Sequence, residues 1–267
     1  MFGLGRFPRE EETEEAESVL YQSMEASYPW PPEKSLMHQE SWHLLYCWVH
    51  KVASTSWSKI FFNLQGKEVP TIRLHEAAQQ FSIDSSRLPG AISNSLVFLT
   101  VRHPFERLVS AYRDKFELAK KYAYVYSRYA HKILGMKTPA EAERARRPSF
   151  SDFVSYILRV PVQEFNDHWV PYWLHCHMCE MEYDIISKME TIKDDMEFIA
   201  DKSGLTATNI TLPWTNRRNS SEELSLQYFK SLTVSQVLGL YRVYRIDFMM
   251  FNYRADKYFT LFSNSEP

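Results

Sequence analysis

A short segment of the chain concentrates groups that bind phosphate. The sequence Lys51-Val-Ala-Ser-Thr-Ser-Trp57 supplies one ammonium and three hydroxyls within a few residues. If a helix begins here, its first backbone N–H groups and the positive end of its dipole add to these donors. No G-x-x-x-x-G-K-[ST] sequence occurs in the chain, so this is not the Walker A loop of an ATPase or GTPase. The segment indicates a phosphate site, although the hydroxyls suit a simple helix cap equally well.

A second segment, Val101-Arg-His-Pro-Phe-Glu-Arg-Leu-Val-Ser-Ala-Tyr112, offers another anion site. The guanidinium of Arg102 can bind an anionic group through two parallel N–H···O hydrogen bonds. Ser110 adds a hydroxyl two turns along a predicted helix. The alternative interpretation is a solvated helix face on which three arginines pair with two acidic residues: Arg102, Arg107 and Arg113 with Glu106 and Asp114.

Both segments follow a stretch with the pattern of a buried strand. Residues 43–49 form a short apolar run, and residues 95–101 form a second one. After the first run, apolar residues recur with helical spacing between Trp57 and Leu64. After the second, Pro104 suits the first turn of a helix. Two strand–turn–helix units with polar residues at their junctions predict a parallel sheet.

The remainder of the chain is predicted to be mainly helical, with one more strand at residues 183–187. Helical periods cover four stretches: residues 149–158, 189–202, 222–232 and 234–251. We therefore predict an α/β fold in which a P-loop-like parallel sheet is flanked by helices and the C-terminal half is largely helical. Residues 1–40, which contain a dense acidic run, are expected to be a flexible N-terminal segment. Residues 41–267 are expected to be one catalytic domain.

The composition limits the classes of function. The hydrophobic fraction is 45%, enough for a sizeable core, and the formal net charge is −2. A slightly acidic chain is not built to coat nucleic acid, so a local cluster of Arg and Lys must meet any anionic ligand. No stretch approaches the ~20 apolar residues of a membrane-spanning helix. The first residues also lack the apolar core of a signal peptide.

Four blocks of sequence, in order, resemble the Golgi carbohydrate sulfotransferases. Lys51–Trp57 resembles their 5′-phosphosulfate loop, and residues 101–112 are similar to their 3′-phosphate motif nearly residue for residue. Asn166-Asp-His-Trp169, with the stretch 176–191 that follows it, and Tyr244-Arg-Ile-Asp-Phe-Met-Met-Phe-Asn-Tyr253 complete the set. Order and spacing match the branch that contains the chondroitin, dermatan and HNK-1 sulfotransferases, over most of the chain.

The resemblance implies a donor, 3′-phosphoadenylyl sulfate (PAPS), and roles for the matching residues. The loop residues would hold the 5′-phosphosulfate: Lys51, Val52, Ala53, Ser54, Thr55, Ser56 and Trp57. Arg102 and Ser110 would hold the 3′-phosphate. The family usually has proline before the loop lysine, whereas this chain has His50. Two expectations follow for His50: a looser loop, because proline restricts the backbone, or a harmless position at the edge of the loop.

Sulfo transfer, by analogy with phosphoryl transfer, depends on positioning and on stabilising charge. Lys51 is expected to act as a catalytic residue that neutralises the departing phosphate, and no metal is required. A histidine suits the base that takes the acceptor's proton. His168 is the first candidate, with a structural histidine beside Trp169 as the alternative. His75, which follows an apolar run and would stand at a strand end, is the second, whereas His103 is expected to be structural.

The three cysteines are Cys47, Cys176 and Cys179. The cluster His175-Cys-His-Met-Cys179 contains the residue types that bind zinc. No second Cys/His pair stands out in the sequence, so we expect no metal site. The resemblance implies instead a structural cysteine pair, Cys176 with Cys179, most simply a disulfide in an oxidising lumen.

The expected acceptor is a carbohydrate. A polyanionic glycan suits the basic residues between Lys132 and Arg147, although a loop with ordinary surface charge explains them as well. By resemblance the chain is a type II membrane protein of the Golgi lumen whose anchor is absent from this sequence. The alternative function is a silent relative that binds PAPS or glycan without turnover. No nucleic-acid partner is expected, and nothing in the sequence indicates an oligomeric state.

Overall fold

A four-stranded mixed sheet lies at the centre of the protein. The computed structural model describes residues 34–207 and 221–262. The strands lie side by side in chain order: β1 (Leu36–Gln39), β2 (Leu44–Cys47), β3 (Leu96–Val101) and β4 (Ile185–Lys188). β1 is antiparallel to β2, and the β2–β3 and β3–β4 pairs are parallel. The predicted parallel sheet is confirmed for three strands, and it carries one antiparallel edge strand.

Helices surround the sheet and dominate the C-terminal half, as predicted. In the first half they are α1 (Ser54–Leu64), α2 (Leu74–Ala78), α3 (Leu88–Asn94), α4 (Pro104–Tyr112) and α5 (Tyr124–Ile133). In the second half they are α6 (Pro139–Arg144), α7 (Phe150–Ile157), α8 (Tyr172–His175), α9 (Ile192–Lys202), α10 (Ser221–Phe229), α11 (Val234–Met250) and α12 (Asp256–Phe259). A π-helical turn, Arg113–Glu117, follows α4 directly. None of the described helices combines the length and the apolar character needed to cross a bilayer.

His103 shows how local sequence fixes the start of α4. Its Nδ1 accepts the backbone N–H of Phe105 at 3.2 Å, which caps the helix that begins at Pro104. The other ring nitrogen therefore carries the hydrogen and donates to the carbonyl of Arg254 at 3.0 Å. Both nitrogens are used in the fold, so the expected structural role of His103 is confirmed.

The two faces of the sheet are covered by different parts of the chain. On one face the rings of Tyr46 and Phe98 stack with centroids 5.0 Å apart, and Trp57 of α1 packs on both. On the other face Cys47 belongs to a core that includes Tyr172 of α8. Because α1 follows β2 after a short turn, it begins at the carboxyl end of the parallel strands, the edge at which α/β folds bind ligands.

The folded part begins earlier in the chain than predicted. β1 pairs with β2 from Leu36, opposite Cys47, to Gln39, opposite Leu44. It therefore lies within residues 1–40, which the sequence predicts to be flexible. A strand of four residues is too short to show a period of its own, and pairing with β2 is what buries it. The acidic run lies outside the described residues, and the assignment of a single catalytic domain stays a prediction.

A disulfide joins the sheet to the helical half and corrects the predicted cysteine pair. Cys47, the last residue of β2, is bonded to Cys176, directly after α8, with Cα atoms 5.9 Å apart. Cys179 is exposed and lies outside this bond. The expected Cys176–Cys179 disulfide is therefore wrong. The fold brings α8 against a buried strand end 129 positions away in sequence, which residue spacing does not reveal.

We expect the double variant Cys47→Ala/Cys176→Ala to unfold at a lower temperature than the wild type. Losing a disulfide that closes a long loop costs about 2–5 kcal/mol, or roughly 10 °C in Tm for a domain of this size. Thermal unfolding followed by circular dichroism without reductant measures the shift. Cys179→Ala is the matched control and is expected to keep the wild-type Tm within about 1 °C. A double variant as stable as the wild type contradicts this prediction.

Candidate active site

The turn after β2 places a strained loop at the start of α1. Lys51 and Ala53 both have positive φ, 73° and 59°, which is uncommon for residues other than glycine. The helix begins at the next residue, Ser54. The Ser56 N–H donates to the Ala53 carbonyl at 2.9 Å, and the N–H groups of the two residues before it are those that a helix start leaves without a partner inside the helix. Strain of this kind is concentrated at ligand-binding loops. The backbone therefore has the form of an anion-binding turn.

The Lys51 ammonium lies beside a carboxylate at the mouth of this loop. Its Nζ is 3.2 Å from Asp114 Oδ2, and Lys115 Nζ is 3.1 Å from the same oxygen. Burial lowers the pKa of Lys51, and the attraction of Asp114 partly opposes that shift. An anionic ligand that approaches Lys51 therefore competes with Asp114 for the ammonium.

The remaining side chains of the loop point in different directions. Val52 and Trp57 are fully buried, and Trp57 Nε1 donates to Thr100 Oγ1 at 3.0 Å. Ser54 is also buried, whereas Thr55 is exposed. Only backbone atoms of Val52 and Trp57 can reach a donor, and the predicted binding roles of these residues stay predictions.

Arg102 leaves the carboxyl end of β3 and is held before any ligand binds. Its Nε donates to Glu106 Oε2 at 3.2 Å, and its Nη2 donates to Ser221 Oγ. Its backbone N–H donates to the Tyr172 hydroxyl oxygen at 3.0 Å. Ser110 lies two turns into α4 and is half-buried. The guanidinium therefore has a fixed orientation and one acidic partner.

Both junctions open into one cavity of about 1100 Å³. Five residues predicted to bind the donor line it: Lys51, Ala53, Ser56, Arg102 and Ser110. The volume suits a nucleotide-sized ligand. Each lysine and arginine of the lining is paired with an acid: Lys51 with Asp114, Arg102 with Glu106, Arg113 with Glu117, Arg254 with Asp256 and Lys257 with Glu222. A ligand with several negative charges can replace these acids as counterion.

His168 lies in a cluster beside the loop rather than in the cavity lining. Its Nδ1 is 2.8 Å from Asp167 Oδ1 and 2.5 Å from Asn166 Oδ1. Since both neighbours are acceptors, the hydrogen-bond network assigns the ring hydrogen to Nδ1 and leaves the lone pair on Nε2. Burial lowers the pKa of His168, and the hydrogen bond with Asp167 partly opposes that shift. The ring is therefore a base that stays unprotonated at lower pH than an exposed histidine.

Comparison with known proteins identifies the family. Residues 34–254 match a family described as the sulfotransferase family. The chain belongs to that family. Mouse carbohydrate sulfotransferase 11 is 31% identical over 246 residues, which cover 85% of this chain and 69% of the relative. Carbohydrate sulfotransferase 12 of Xenopus laevis is 28% identical over 272 residues, which cover 88% of this chain and 64% of the relative.

Human carbohydrate sulfotransferase 8 is 31% identical over 229 residues, which cover 79% of this chain and 53% of the relative. No solved structure gives a significant match to the chain. The resemblance read from the four sequence blocks is thus confirmed, and the protein is a sulfotransferase.

Arg107 of this sulfotransferase does not lie on a solvated helix face, which the alternative interpretation of the sequence required. Its side chain is 2% exposed and donates to the backbone carbonyls of His50 at 3.2 Å, Asp167 at 3.2 Å and Val170 at 2.6 Å. Its guanidinium also lies 4.5 Å from the centroid of the Tyr172 ring. Arg107 therefore ties the loop before Lys51 to the segment that carries His168.

A sequence signal for the burial of Arg107 was available. Pro104 and Ala111 stand three residues before it and four after it, and both are buried. All three residues therefore share one face of α4. The charge of Arg107 left a position on a solvated face open as the alternative, because an arginine is rarely buried unless its donors are satisfied.

His50 is not at the edge of the loop. The residue is 9% exposed, its Nε2 is 3.1 Å from Asp167 Oδ2, and its ring lies against the His168 ring with centroids 3.5 Å apart. The expected position at the edge of the loop is therefore wrong, since the His50 ring contacts the first candidate base. Whether its presence loosens the loop stays a prediction.

His75 also lies near this cluster, but not at a strand end as expected. It is the second residue of α2, and its ring centroid is 5.1 Å from that of Trp48 and 5.7 Å from that of His50. Its apolar predecessors end in the first turn of a short helix instead of forming a strand. The fold thus brings both candidate bases to one place. Only for His168 is a carboxylate seen to orient the ring.

Two groups of possible metal ligands occur in the described residues, and neither has the geometry of a metal site. In the stretch 175–179, His175 bonds to the carbonyl of Trp48 and Cys176 is in the disulfide. His50, Asp167 and His168 offer three ligand atoms within 4.8 Å of one another. The two rings are almost parallel, at 14°. An imidazole nitrogen binds a metal ion through a lone pair in the plane of its ring. Because the two rings are stacked in separate planes with centroids 3.5 Å apart, one ion cannot lie in both planes.

The basic residues between Lys132 and Arg147 are partly used within the fold. Arg146 forms two hydrogen bonds with the Asp152 carboxylate, at 2.5 and 3.1 Å. Arg147 Nη1 donates to the carbonyls of Phe116 and Ala119. These two arginines therefore support the expectation of an ordinary surface loop more than that of a glycan-binding patch.

Proposed function

We propose that this sulfotransferase moves a sulfo group from PAPS to a hydroxyl of a carbohydrate. The observation that carries the proposal is the shared cavity: Lys51, at the carboxyl end of β2, and Arg102, at the carboxyl end of β3, both line it. A donor with phosphate at two separated positions fits two separated cationic junctions. The names of the relatives, all carbohydrate sulfotransferases, support the acceptor class.

The donor is held at two places in this proposal. The positive-φ turn, Lys51 and the first N–H groups of α1 bind the 5′-phosphosulfate. Arg102 and Ser110 bind the 3′-phosphate, with Glu106 giving way as counterion. Ala53 and Ser56, which also line the cavity, complete the wall on the phosphosulfate side.

Transfer then needs a base and a cation. His168 Nε2 takes the proton of the acceptor hydroxyl, whose oxygen bonds to sulfur while the bond from sulfur to the bridging phosphate oxygen breaks. Lys51 neutralises the charge that grows on the departing phosphate. Asp167 offsets the charge of the imidazolium that forms. His75 remains the second candidate for the base.

The cellular setting in this proposal is the Golgi lumen, with the protein attached to the membrane. The Cys47–Cys176 disulfide supports an oxidising compartment, because such bonds are rare in proteins of the reducing cytosol. A polyanionic glycan is the acceptor class we favour.

Donor recognition is tested with Arg102→Ala. Removing a guanidinium that binds a phosphate costs about 1.5–3 kcal/mol, so we expect PAPS affinity to fall about 10- to 100-fold. Affinity for adenosine 5′-phosphosulfate, which lacks the 3′-phosphate, is expected to change less than threefold. Isothermal titration calorimetry measures both affinities. Arg73→Ala, which removes an arginine whose side chain is 76% exposed, is the control. Equal losses for the two donors contradict the assigned role of Arg102.

Turnover is tested with radiolabelled PAPS and a panel of desulfated glycosaminoglycans and N-acetylgalactosamine-terminated glycans. Label that enters a glycan supports the proposal and identifies the acceptor. Binding of PAPS without label in any glycan, and without release of its sulfo group to added model alcohols, favours the silent relative. A protein that does not bind PAPS contradicts the proposed function.

A further inference from the structure

Asp167 joins two histidines through its two carboxylate oxygens. Oδ1 is 2.8 Å from His168 Nδ1, and Oδ2 is 3.1 Å from His50 Nε2. Burial opposes ionisation of Asp167, but the hydrogen bonds with His168 and His50 outweigh it and hold the pKa of Asp167 below its usual range. An ionised carboxylate only accepts hydrogen bonds, so each ring donates to it. His50 therefore carries its hydrogen on Nε2, and His168 carries its hydrogen on Nδ1.

The stacking of the two rings restricts His168 further. The centroids are 3.5 Å apart and the planes differ by 14°, so His50 covers one face of the His168 ring. Two imidazolium ions at this distance repel each other, so the two neutral rings together take up at most one additional proton. Burial lowers the pKa of His50 to about 3. In the proposed function the added proton is taken up by His168, whose Nδ1–H is already bonded to Asp167 and whose Nε2 holds the lone pair.

Other charges around the pair act in both directions. Asp167 and Asp114 favour a proton on His168, and Lys115 disfavours it. The remaining titratable groups that face the pair are His75 and Lys51 on the side of the loop, and His175 and Arg107 on the side of the core. All of them stay in place when His50 alone is changed, so a His50 variant isolates the contribution of that ring.

We propose that His50 is a positioning residue for the base: it occupies one oxygen of Asp167 and one face of the His168 ring, and so fixes the tautomer whose Nε2 accepts the hydroxyl proton. The inference rests on the proposed function, in which His168 is the base. During transfer the proton ends on His168 Nε2, Asp167 keeps its negative charge, and His50 keeps its hydrogen on Nε2. His50 touches neither the donor nor the acceptor in this scheme.

His50→Ala and His50→Gln separate this role from simple packing. Glutamine keeps most of the volume and an N–H donor that reaches Asp167, whereas alanine removes both. In His50→Ala, His168 regains water on one face and no longer shares Asp167, so its pKa rises. We expect the acid limb of the kcat/KM profile to move up by about one pH unit. At a fixed pH on the acid limb, kcat/KM of His50→Ala is therefore about tenfold lower than that of the wild type, with little change at alkaline pH. The acid limb of His50→Gln is expected to stay within about 0.3 pH unit of that of the wild type.

A second readout does not depend on turnover. In protein labelled with ¹³C-histidine, the His168 ring signal, assigned by its loss in His168→Gln, is titrated by NMR without donor or acceptor. We expect its pKa to rise by about one unit in His50→Ala and by less than about 0.3 unit in His50→Gln. His43→Asn, which replaces an exposed histidine, is the control and leaves the His168 titration unchanged. PAPS affinity is expected to stay within about threefold of the wild type in both His50 variants.

Three results overturn the inference. The first is a His168 titration and an acid limb in His50→Ala that coincide with those of the wild type. The second is an equal loss of PAPS affinity in both variants, which assigns His50 to the shape of the donor loop. The third is an acid limb that disappears in His75→Gln and persists in His168→Gln. Failure of the proposed function is distinct, because there the wild type itself neither binds PAPS nor transfers label, while the NMR titration still reports on the two rings.

Discussion

Lys51→Ala is expected to lower kcat for sulfo transfer by about 100- to 1000-fold, the range seen when a preorganised donor to a developing charge is removed. The ammonium is held at the mouth of a strained loop, 3.2 Å from Asp114 Oδ2. Without it, the charge on the departing phosphate has no cation at this position. Asp114 then also repels the donor, with Lys115 as its remaining partner.

The measurement is single-turnover transfer with saturating PAPS, which separates the chemical step from donor binding. Lys59→Ala is the matched control, since Lys59 lies on the exposed side of the same helix, α1. We expect it to keep wild-type kcat within about twofold. A Lys51→Ala enzyme with wild-type kcat and only a raised KM would remove Lys51 from the chemical step and leave it a binding residue.

Arg107→Ala is expected to destabilise the folded protein by about 3 kcal/mol or more, because a hydrogen bond to a charged group contributes about 1.5–3 kcal/mol and three are lost. The carbonyls of His50, Asp167 and Val170 lose the donor that now satisfies them. Arg107→Lys is expected to recover little of this, since a single ammonium cannot reach three carbonyls in the way a guanidinium does.

Urea unfolding at neutral pH with the disulfide intact measures the loss as a lower midpoint with an unchanged m-value. Arg113→Ala is the control on the turn that follows α4. Its ion pair with Glu117 is about one-third exposed, and we expect its loss to cost less than about 1 kcal/mol. If Arg107→Ala unfolds at the wild-type midpoint, the three hydrogen bonds do not stabilise the fold and the two segments are held together by other contacts.

Much of the fold could be predicted from the sequence, because strands and helices each leave a local pattern of apolar residues. The strands β2 and β3 are short apolar runs, and the helices after them repeat apolar residues at the period of 3.6. The place of the site followed from the same pattern, since parallel strands present their carboxyl ends at one edge. Arg102 directly follows β3 and Lys51 lies in the turn after the adjacent strand β2, and the structure places both on one cavity.

The edge strand and the loop residues show where local reasoning stops. Neither the four residues of β1 nor the side-chain directions around Lys51 have a period that identifies them. Trp57 resembles part of a binding turn in sequence, yet its ring belongs to the core under Tyr46 and Phe98. Which side of a turn is buried depends on the surface that it covers, and that surface is built by other parts of the chain.

The tertiary structure alone decided the pairings between distant residues. Cys47 meets Cys176 across 129 positions, and His50 meets Asp167 across 117. Arg107 donates to the backbone carbonyls of both residues of the second pair, His50 and Asp167. Residue types and spacing indicated the class of the fold and the two junctions that we propose to bind anions, and the resemblance of four sequence blocks indicated the family. They could not determine these contacts, because a contact between distant segments depends on how helices and strands pack against one another, and that geometry leaves no period in either segment.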